Sequence, residues 1–142
     1  MIFTSQTPIR VRYAETDQMG IVYHSNYLIW FEVGRAELLR ELGLPYTVFE
    51  EQGVAAAVVE ATCRYRRPVH YDDDLIIESS LESFSSRKLR FNYKVLRDGE
   101  LLAEGETIHV FVDKMGKSTD VRSLPIWKQF EKIIESLKAK AE

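Results

Sequence analysis

An α+β fold, with one long helix laid against one antiparallel sheet, is predicted by three features of the sequence. Residues 27–42 carry a single dense helical pattern, residues 54–112 alternate as strands, and turn signals such as Asp98-Gly99 join those strands in place of further helices. At 142 residues, 45% hydrophobic and 29% charged, the chain has the length and composition of a single domain over residues 1–142. No repeat, linker or low-complexity segment interrupts it.

The elements follow in order. Between Thr7 and Tyr13, Ile9, Val11 and Tyr13 alternate with Arg10 and Arg12, the period of a half-buried strand. Ser25 and Asn26 then offer N-caps to a helix that Gly43 closes. At about 100° per residue, Tyr27, Leu28, Phe31, Leu38, Leu39 and Leu42 fill one arc, and Glu37, Arg40 and Glu41 the opposite one. Ile29, Val33 and Ala36 widen the apolar surface, so burial over most of the circumference is expected. Glu32 and Arg35 are spaced to pair.

Pro45 opens a short helical segment that reaches about Glu51 and ends at Gly53. Val54 to Arg67 reads as a long second strand that Pro68 stops, and Leu75 to Phe84 as a third. In the fourth, Leu89, Phe91, Tyr93 and Val95 alternate with Arg90, Asn92 and Lys94; a hairpin at Asp98-Gly99 leads into Leu101 to Val112. Pro125 opens a last helix, from Ile126 to about Ala139.

The chemistry is concentrated between the first strand and the long helix. Asp17 stands in a turn closed by Gly20, just before the helix begins. The first N–H groups of a helix lack intrahelical acceptors and sit at the positive end of its dipole, so they can stabilise an oxyanion on which a nearby carboxylate acts. Acyl transfer fits that arrangement, with the N–H groups of Tyr23, His24 and Ser25 as candidate donors. Asp17 itself has two readings: a nucleophile or a base that delivers water, or a turn cap that accepts from backbone N–H groups.

The run Asp17-x-x-Gly20-Ile21-Val22-Tyr23-His24-x-Asn26-Tyr27, followed by Glu32-x-x-Arg35, resembles the signature of the 4-hydroxybenzoyl-CoA thioesterase branch of the hotdog superfamily. Within that branch it is similar to the short bacterial acyl-CoA thioesterases associated with the Tol-Pal envelope system, and the resemblance covers roughly the whole chain. It implies a hotdog fold, an antiparallel sheet wrapped around a long central helix, and hydrolysis of acyl-CoA to free acid and coenzyme A. It also implies that Asp17 is the catalytic carboxylate and that the backbone of His24 polarises the thioester carbonyl, with Tyr23, Gly20, Ile21 and Tyr27 around them. The His24 imidazole would orient Asp17, pass a proton to the leaving thiolate, or close the pocket. Tyr-His stands where the 4-hydroxybenzoyl-specific members carry two aromatics, which points away from an aryl substrate, although Tyr23, Tyr27 and Trp30 keep an aromatic acyl group open.

The phosphates of coenzyme A call for cations at a pocket mouth. Arg64, Arg66 and Arg67 supply one cluster and Ser85-Ser86-Arg87-Lys88 another; the second matches the nucleotide-facing loop of related thioesterases and ranks first. A sheet around one helix leaves an edge, and the long second strand is suited to pairing with its own copy. A homodimer or homotetramer is therefore expected, with Asp17 of one chain facing residues of the Val54–Thr62 stretch of another, Val58 and Val59 among them.

Other classes are disfavoured. A net charge of −3 argues against nucleic acid, and no apolar run approaches the length of about 20 residues that a membrane span requires. The opening Met-Ile-Phe-Thr-Ser-Gln has no secretory pattern, and the single Cys63 suits a reducing, cytoplasmic setting as a small buried hydrophobe. No cofactor or metal is implied: His70-x-Asp72-Asp73-Asp74 reads as a solvated turn and Glu60 as a surface or interface residue rather than a second pocket carboxylate, and the serine pairs lack a nucleophile elbow. Two alternatives stay open: a hotdog dehydratase acting on hydroxyacyl thioesters, and a non-catalytic module that binds acyl-CoA or acyl-carrier-protein.

Overall fold

The computed structural model describes residues 1–141. One antiparallel sheet runs in the order β1-β3-β4-β5-β2, built from β1 (Phe3–Arg10), β2 (Ala55–Tyr65), β3 (Asp74–Phe84), β4 (Lys88–Arg97) and β5 (Glu100–Val112). The helices are α1 (Asn26–Glu41), α2 (Tyr46–Glu51) and α3 (Pro125–Ala141). The α+β hotdog arrangement predicted from the sequence is the one observed, with α1 lying across one face of the sheet.

The first strand differs from its prediction. It begins earlier, at Phe3, and stops at Arg10; Val11 is buried, but Tyr13 falls in a 3-10 turn (Tyr13–Glu15) and is 77% exposed. Glu15 is the physical cause. Its buried carboxylate accepts the Arg12 N–H at 2.7 Å and the Trp30 indole N–H at 2.7 Å, which bends the chain out of the strand and ties it to the second turn of α1. Trp30 is accordingly buried with its N–H satisfied.

The long helix packs through Tyr27, Trp30, Phe31, Gly34, Leu38 and Leu39. Phe31 stacks on Tyr93 of β4 with ring centroids 4.4 Å apart. Gly34 allows the backbone to approach β3: a Cβ there would lie 2.9 Å from Ile77 Cγ2 and closer still to Ser79 Oγ. Burial does not extend around most of the circumference, because the sheet covers one face only. Leu28, Ile29 and Val33 remain 40–48% exposed as a strip along the other.

Two local expectations fail for identifiable reasons. Ser25 occupies the N-cap position, but in αR geometry and without a side-chain cap; Asn26 donates from Nδ2 to the carbonyls of Glu15 (2.9 Å) and Tyr23 (3.3 Å) instead of accepting. Arg35 does not pair with Glu32, because its Nε donates to Tyr46 Oη of α2 at 3.0 Å.

At the far end, α3 covers Phe84 and Phe49 with Phe130, and the Ile126 N–H donates to Gln52 Oε1 at 2.7 Å, a cap supplied from 74 residues away. The Asp98-Gly99 hairpin forms as read, with φ of 50° and 81° at the two residues. β2 ends the sheet on its β5 side, so its other edge is unpaired; a bulge interrupts its register between Val58 and Glu60, and Val58 and Val59 are 46% and 57% exposed.

A buried polar line crosses the core between β4 and β5. Tyr93 Oη lies 2.6 Å from Thr107 Oγ1, which lies 2.8 Å from His109 Nε2, while His109 Nδ1 faces the Ala56 carbonyl at 3.4 Å. Burial, reinforced by the Arg35 cation, pushes the His109 pKa down to about 4. The unfolded imidazole titrates at its ordinary 6.5, so between these values only the unfolded chain takes up the proton. Stability is therefore expected to be full above about pH 6.5 and to fall by up to about 3 kcal/mol as pH drops toward 4. Urea unfolding across that range should show the slope, and His109→Gln should flatten it. Glu15→Ala, which strands the Trp30 and Arg12 N–H groups, is expected to cost about 2–4 kcal/mol in the same measurement at pH 7.

Candidate active site

The loop from Thr16 to Ser25 is folded by its own backbone before any side chain contributes. The Asp17 N–H donates to the Ile21 carbonyl at 2.8 Å and the Gly20 N–H to the Asp17 carbonyl at 3.0 Å, with Gly20 at φ 79°, where a glycine is favoured. Isolated bridges pair Thr16 with Val22 and Ile21 with His70, and the Val22 N–H donates to Val69. The loop is thereby pinned against the segment that follows β2.

Asp17 is half-buried, and its Oδ1 accepts the Met19 N–H at 2.8 Å. Half of the turn-capping reading is thus realised, and Oδ2 remains without a hydrogen-bond partner among the described residues. Of the three candidate oxyanion donors, Tyr23 drops out: its N–H donates to the Glu15 carbonyl at 2.9 Å. The N–H groups of His24 and Ser25 find no acceptor among the described residues, whereas those of Asn26 and Tyr27 begin the helix ladder on the carbonyls of Tyr23 and His24.

Asp17, Ile21, Tyr23, His24 and Tyr27 line one cleft of about 400 Å³ together with Tyr65, Arg66 and Arg67. Tyr65, at the end of β2, donates from its hydroxyl to the His24 carbonyl at 3.1 Å and sets its ring edge-on to Tyr27, with centroids 4.8 Å apart. Burial pushes the hydroxyls of Tyr27 and Tyr65 up to about 12, so both stay protonated donors at neutral pH. Trp30 is turned away into the core and is not part of the cleft. The half-buried Cys63 thiol is pushed up by its burial, which suits a packed residue better than a nucleophile.

Several residues singled out in the sequence lie elsewhere within this chain. Val58 and Val59 are six or seven residues up β2 from Tyr65, on the order of 20 Å at strand spacing. The Ser85–Lys88 turn is farther still: Lys88 pairs with Val110, and Val110 with Ala57, beside the opposite end of β2. Of the two basic clusters, Arg66 and Arg67 line the cleft of the single chain, and Arg64, Arg87 and Lys88 do not. Arg66 and Arg67 are held by acids of β5, at 3.3 Å from Glu104 and 3.7 Å from Glu100. The Asp72–Asp74 acids are likewise engaged, Asp72 and Asp74 with Arg10 and Asp73 with Arg97.

The sequence reading passed over Glu15 and Tyr65. A carboxylate two residues from Asp17 and a tyrosine at the end of an edge strand carry no local signal; only the tertiary contacts with Trp30 and His24 reveal them.

Residues 11–138 match the model of the Thioesterase-like superfamily. The chain is 42% identical over 111 residues to YneP of Bacillus subtilis, a candidate acyl-CoA thioesterase, covering 78% of this chain and 80% of that one. To the acyl-CoA thioester hydrolase YbgC of Escherichia coli it is 33% identical over 109 residues, 76% of this chain and 81% of YbgC. A crystal structure of DHNA-CoA thioesterase from Staphylococcus aureus superposes with a TM-score of 0.86 at 30% identity, covering 98% of this chain and 95% of that one. Sequence and fold agree, and the chain belongs to the thioesterase-like superfamily.

Proposed function

We propose that this protein hydrolyses acyl-CoA thioesters, with Asp17 as the catalytic carboxylate and the His24 N–H as oxyanion donor. The observation that carries the reading is that a carboxylate with one unengaged oxygen and an unaccepted N–H at a helix start border the same cleft. The thioester carbonyl docks on the His24 N–H, and Asp17 Oδ2 attacks the carbonyl carbon or draws a proton from the water that does. The C–S bond breaks and the departing thiolate takes up the proton that water gives up; where Asp17 attacks, water then hydrolyses the mixed anhydride so formed, and either route ends in free acid, coenzyme A thiol and a regenerated Asp17 carboxylate. A single such backbone donor is worth about 3–4 kcal/mol in the transition state. The aromatic rings of Tyr23, Tyr27 and Tyr65 supply an apolar wall for the acyl group, and a carrier-protein thioester fits the same chemistry. YbgC and the Staphylococcus aureus enzyme are named for coenzyme A thioesters, which favours that carrier.

The cleft is completed by a second copy. Val58 and Val59 on the free edge of β2, and Leu28, Ile29 and Val33 on the open strip of α1, form an apolar surface that one chain leaves in water. A two-fold axis through β2 runs its copies antiparallel, so the Ala55 end of one lies beside the Tyr65 end of the other. The partner's Arg87 and Lys88 turn is carried toward this chain's cleft, which restores the role that the sequence assigned to it. The assembly is a homodimer, or a homotetramer of two such pairs.

Release of free thiol from a panel of short, long and aromatic acyl-CoAs tests the function. Wild type is expected to turn over, and Asp17→Asn to lose at least about 100-fold in kcat while remaining folded. Turnover equal in the two proteins would remove Asp17 from the chemistry; none in either would leave the acyl-binding module. Light scattering after gel filtration tests the assembly. Wild type should have the mass of two or four chains, and Val58→Asp should shift it to one chain with loss of turnover; a fully active monomer would overturn the shared site.

A further inference from the structure

We infer that Tyr65 and Asn26 are positioning residues for the hydrolysis: they hold, by their carbonyl ends, the two peptide groups on either side of His24 and so aim its N–H. The inference rests on the proposed role of that N–H as oxyanion donor.

The geometry is two-sided. The peptide that carries the His24 N–H has the Tyr23 carbonyl at its other end, and that oxygen accepts from Asn26 twice, from the backbone N–H at 3.0 Å and from Nδ2 at 3.3 Å. Asn26 Nδ2 also donates to the Glu15 carbonyl at 2.9 Å, and the Tyr23 N–H donates to that same oxygen, which fixes the peptide to the floor of the loop. The next peptide has the His24 carbonyl, which accepts from Tyr65 Oη at 3.1 Å and from the Tyr27 N–H at 3.3 Å. With both flanking peptides held, φ and ψ of His24 have no freedom, and its N–H keeps one direction.

Polarisation acts in the same sense as position. A carbonyl that accepts two hydrogen bonds draws electron density from its own N–H, which becomes the stronger donor. That strengthening reaches the His24 N–H through Asn26, whose bonds are to the Tyr23 carbonyl, whereas Tyr65 acts on the next peptide by position: it is tied into β2 and holds the His24 carbonyl from there. A donor fixed before substrate arrives costs no reorganisation when charge develops. The Tyr65 ring also borders the cleft, so ring and hydroxyl have separable roles: the ring packs on Tyr27, and the hydroxyl holds His24.

Tyr65→Phe removes the hydroxyl alone at a half-exposed site. Its kcat is expected to fall about three- to tenfold, the size of one hydrogen bond, with KM unchanged. Affinity for a thioether analogue of acyl-CoA, which has no carbonyl to polarise, should equal that of wild type. The amide resonances of His24 and Ser25 should shift in Tyr65→Phe, a readout independent of turnover. Asn26→Ala is expected to lower kcat further, again with little change in analogue affinity.

Asp17→Asn measured beside them separates the two claims. Loss of turnover in Asp17→Asn with wild-type kcat and unshifted amides in Tyr65→Phe overturns the positioning role alone. Full turnover in Asp17→Asn overturns the catalytic reading on which it rests. If Tyr65→Phe behaves as wild type while Tyr65→Leu raises KM, Tyr65 is a pocket wall and not a positioning residue.

Discussion

A single buried carboxylate holds the functional end of this molecule together. Glu15 sits where β1 has ended and the Asp17 loop begins, and each end of the residue is used. Its side chain accepts from Trp30 of α1 and from the Arg12 backbone; its carbonyl accepts from the Tyr23 N–H and from Asn26 Nδ2. A carboxyl group out of water is tolerated only where its oxygens are satisfied by donors of good geometry, so its cost enforces the local structure: if the helix slides or the loop slips, a buried polar group is left unmet. The register of the loop against the helix follows from that constraint, and with it the position of Asp17 two residues on.

That constraint also accounts for the selectivity with which backbone donors are spent. Of the five N–H groups from Tyr23 to Tyr27, three have backbone acceptors and two have none among the described residues. Tyr23 is used on Glu15, Asn26 on Tyr23, and Tyr27 on His24, while His24 and Ser25 retain theirs. Of these two residues, His24 is the one that lines the cleft that Asp17 borders. The proposed oxyanion donor is therefore an N–H that remains after internal satisfaction, and its direction is set by the bonds around it.

The sequence disclosed the fold and the loop, because both are written in local patterns. Alternation gave β3, β4 and β5 nearly to the residue, Asp98-Gly99 gave the hairpin, Gly43 gave the end of α1, and Asp17-x-x-Gly20 with Tyr23-His24 placed the cleft. What failed was tertiary in origin. Tyr13 alternates as a strand residue should, yet Glu15 draws it into a turn; Arg35 has Glu32 within reach, yet Tyr46 offers a buried oxygen. Asn26 looks like a cap, but its amide has better acceptors in Glu15 and Tyr23 than its oxygen has donors. In each case propensity named a permitted partner, and packing supplied a competing one with its own desolvation to satisfy.

The charges at the cleft mouth lead to the same view of the assembly. Arg66 and Arg67 are the cations that one chain brings to Asp17, but Glu104 and Glu100 already hold them on a solvent-exposed face, where such pairs exchange readily with other anions. A nucleotide phosphate can displace those acids there, but two arginines are few cations for the several phosphate charges of coenzyme A. The Arg87 and Lys88 turn lies at the other end of the same strand, whose outer edge is open and whose Val58 and Val59 are exposed. Antiparallel pairing of that edge is the one operation that satisfies the edge, covers the valines and adds the distant cations to the mouth. In the proposed dimer one symmetry axis would meet three separate deficits of the single chain, and that coincidence is the physical argument for it.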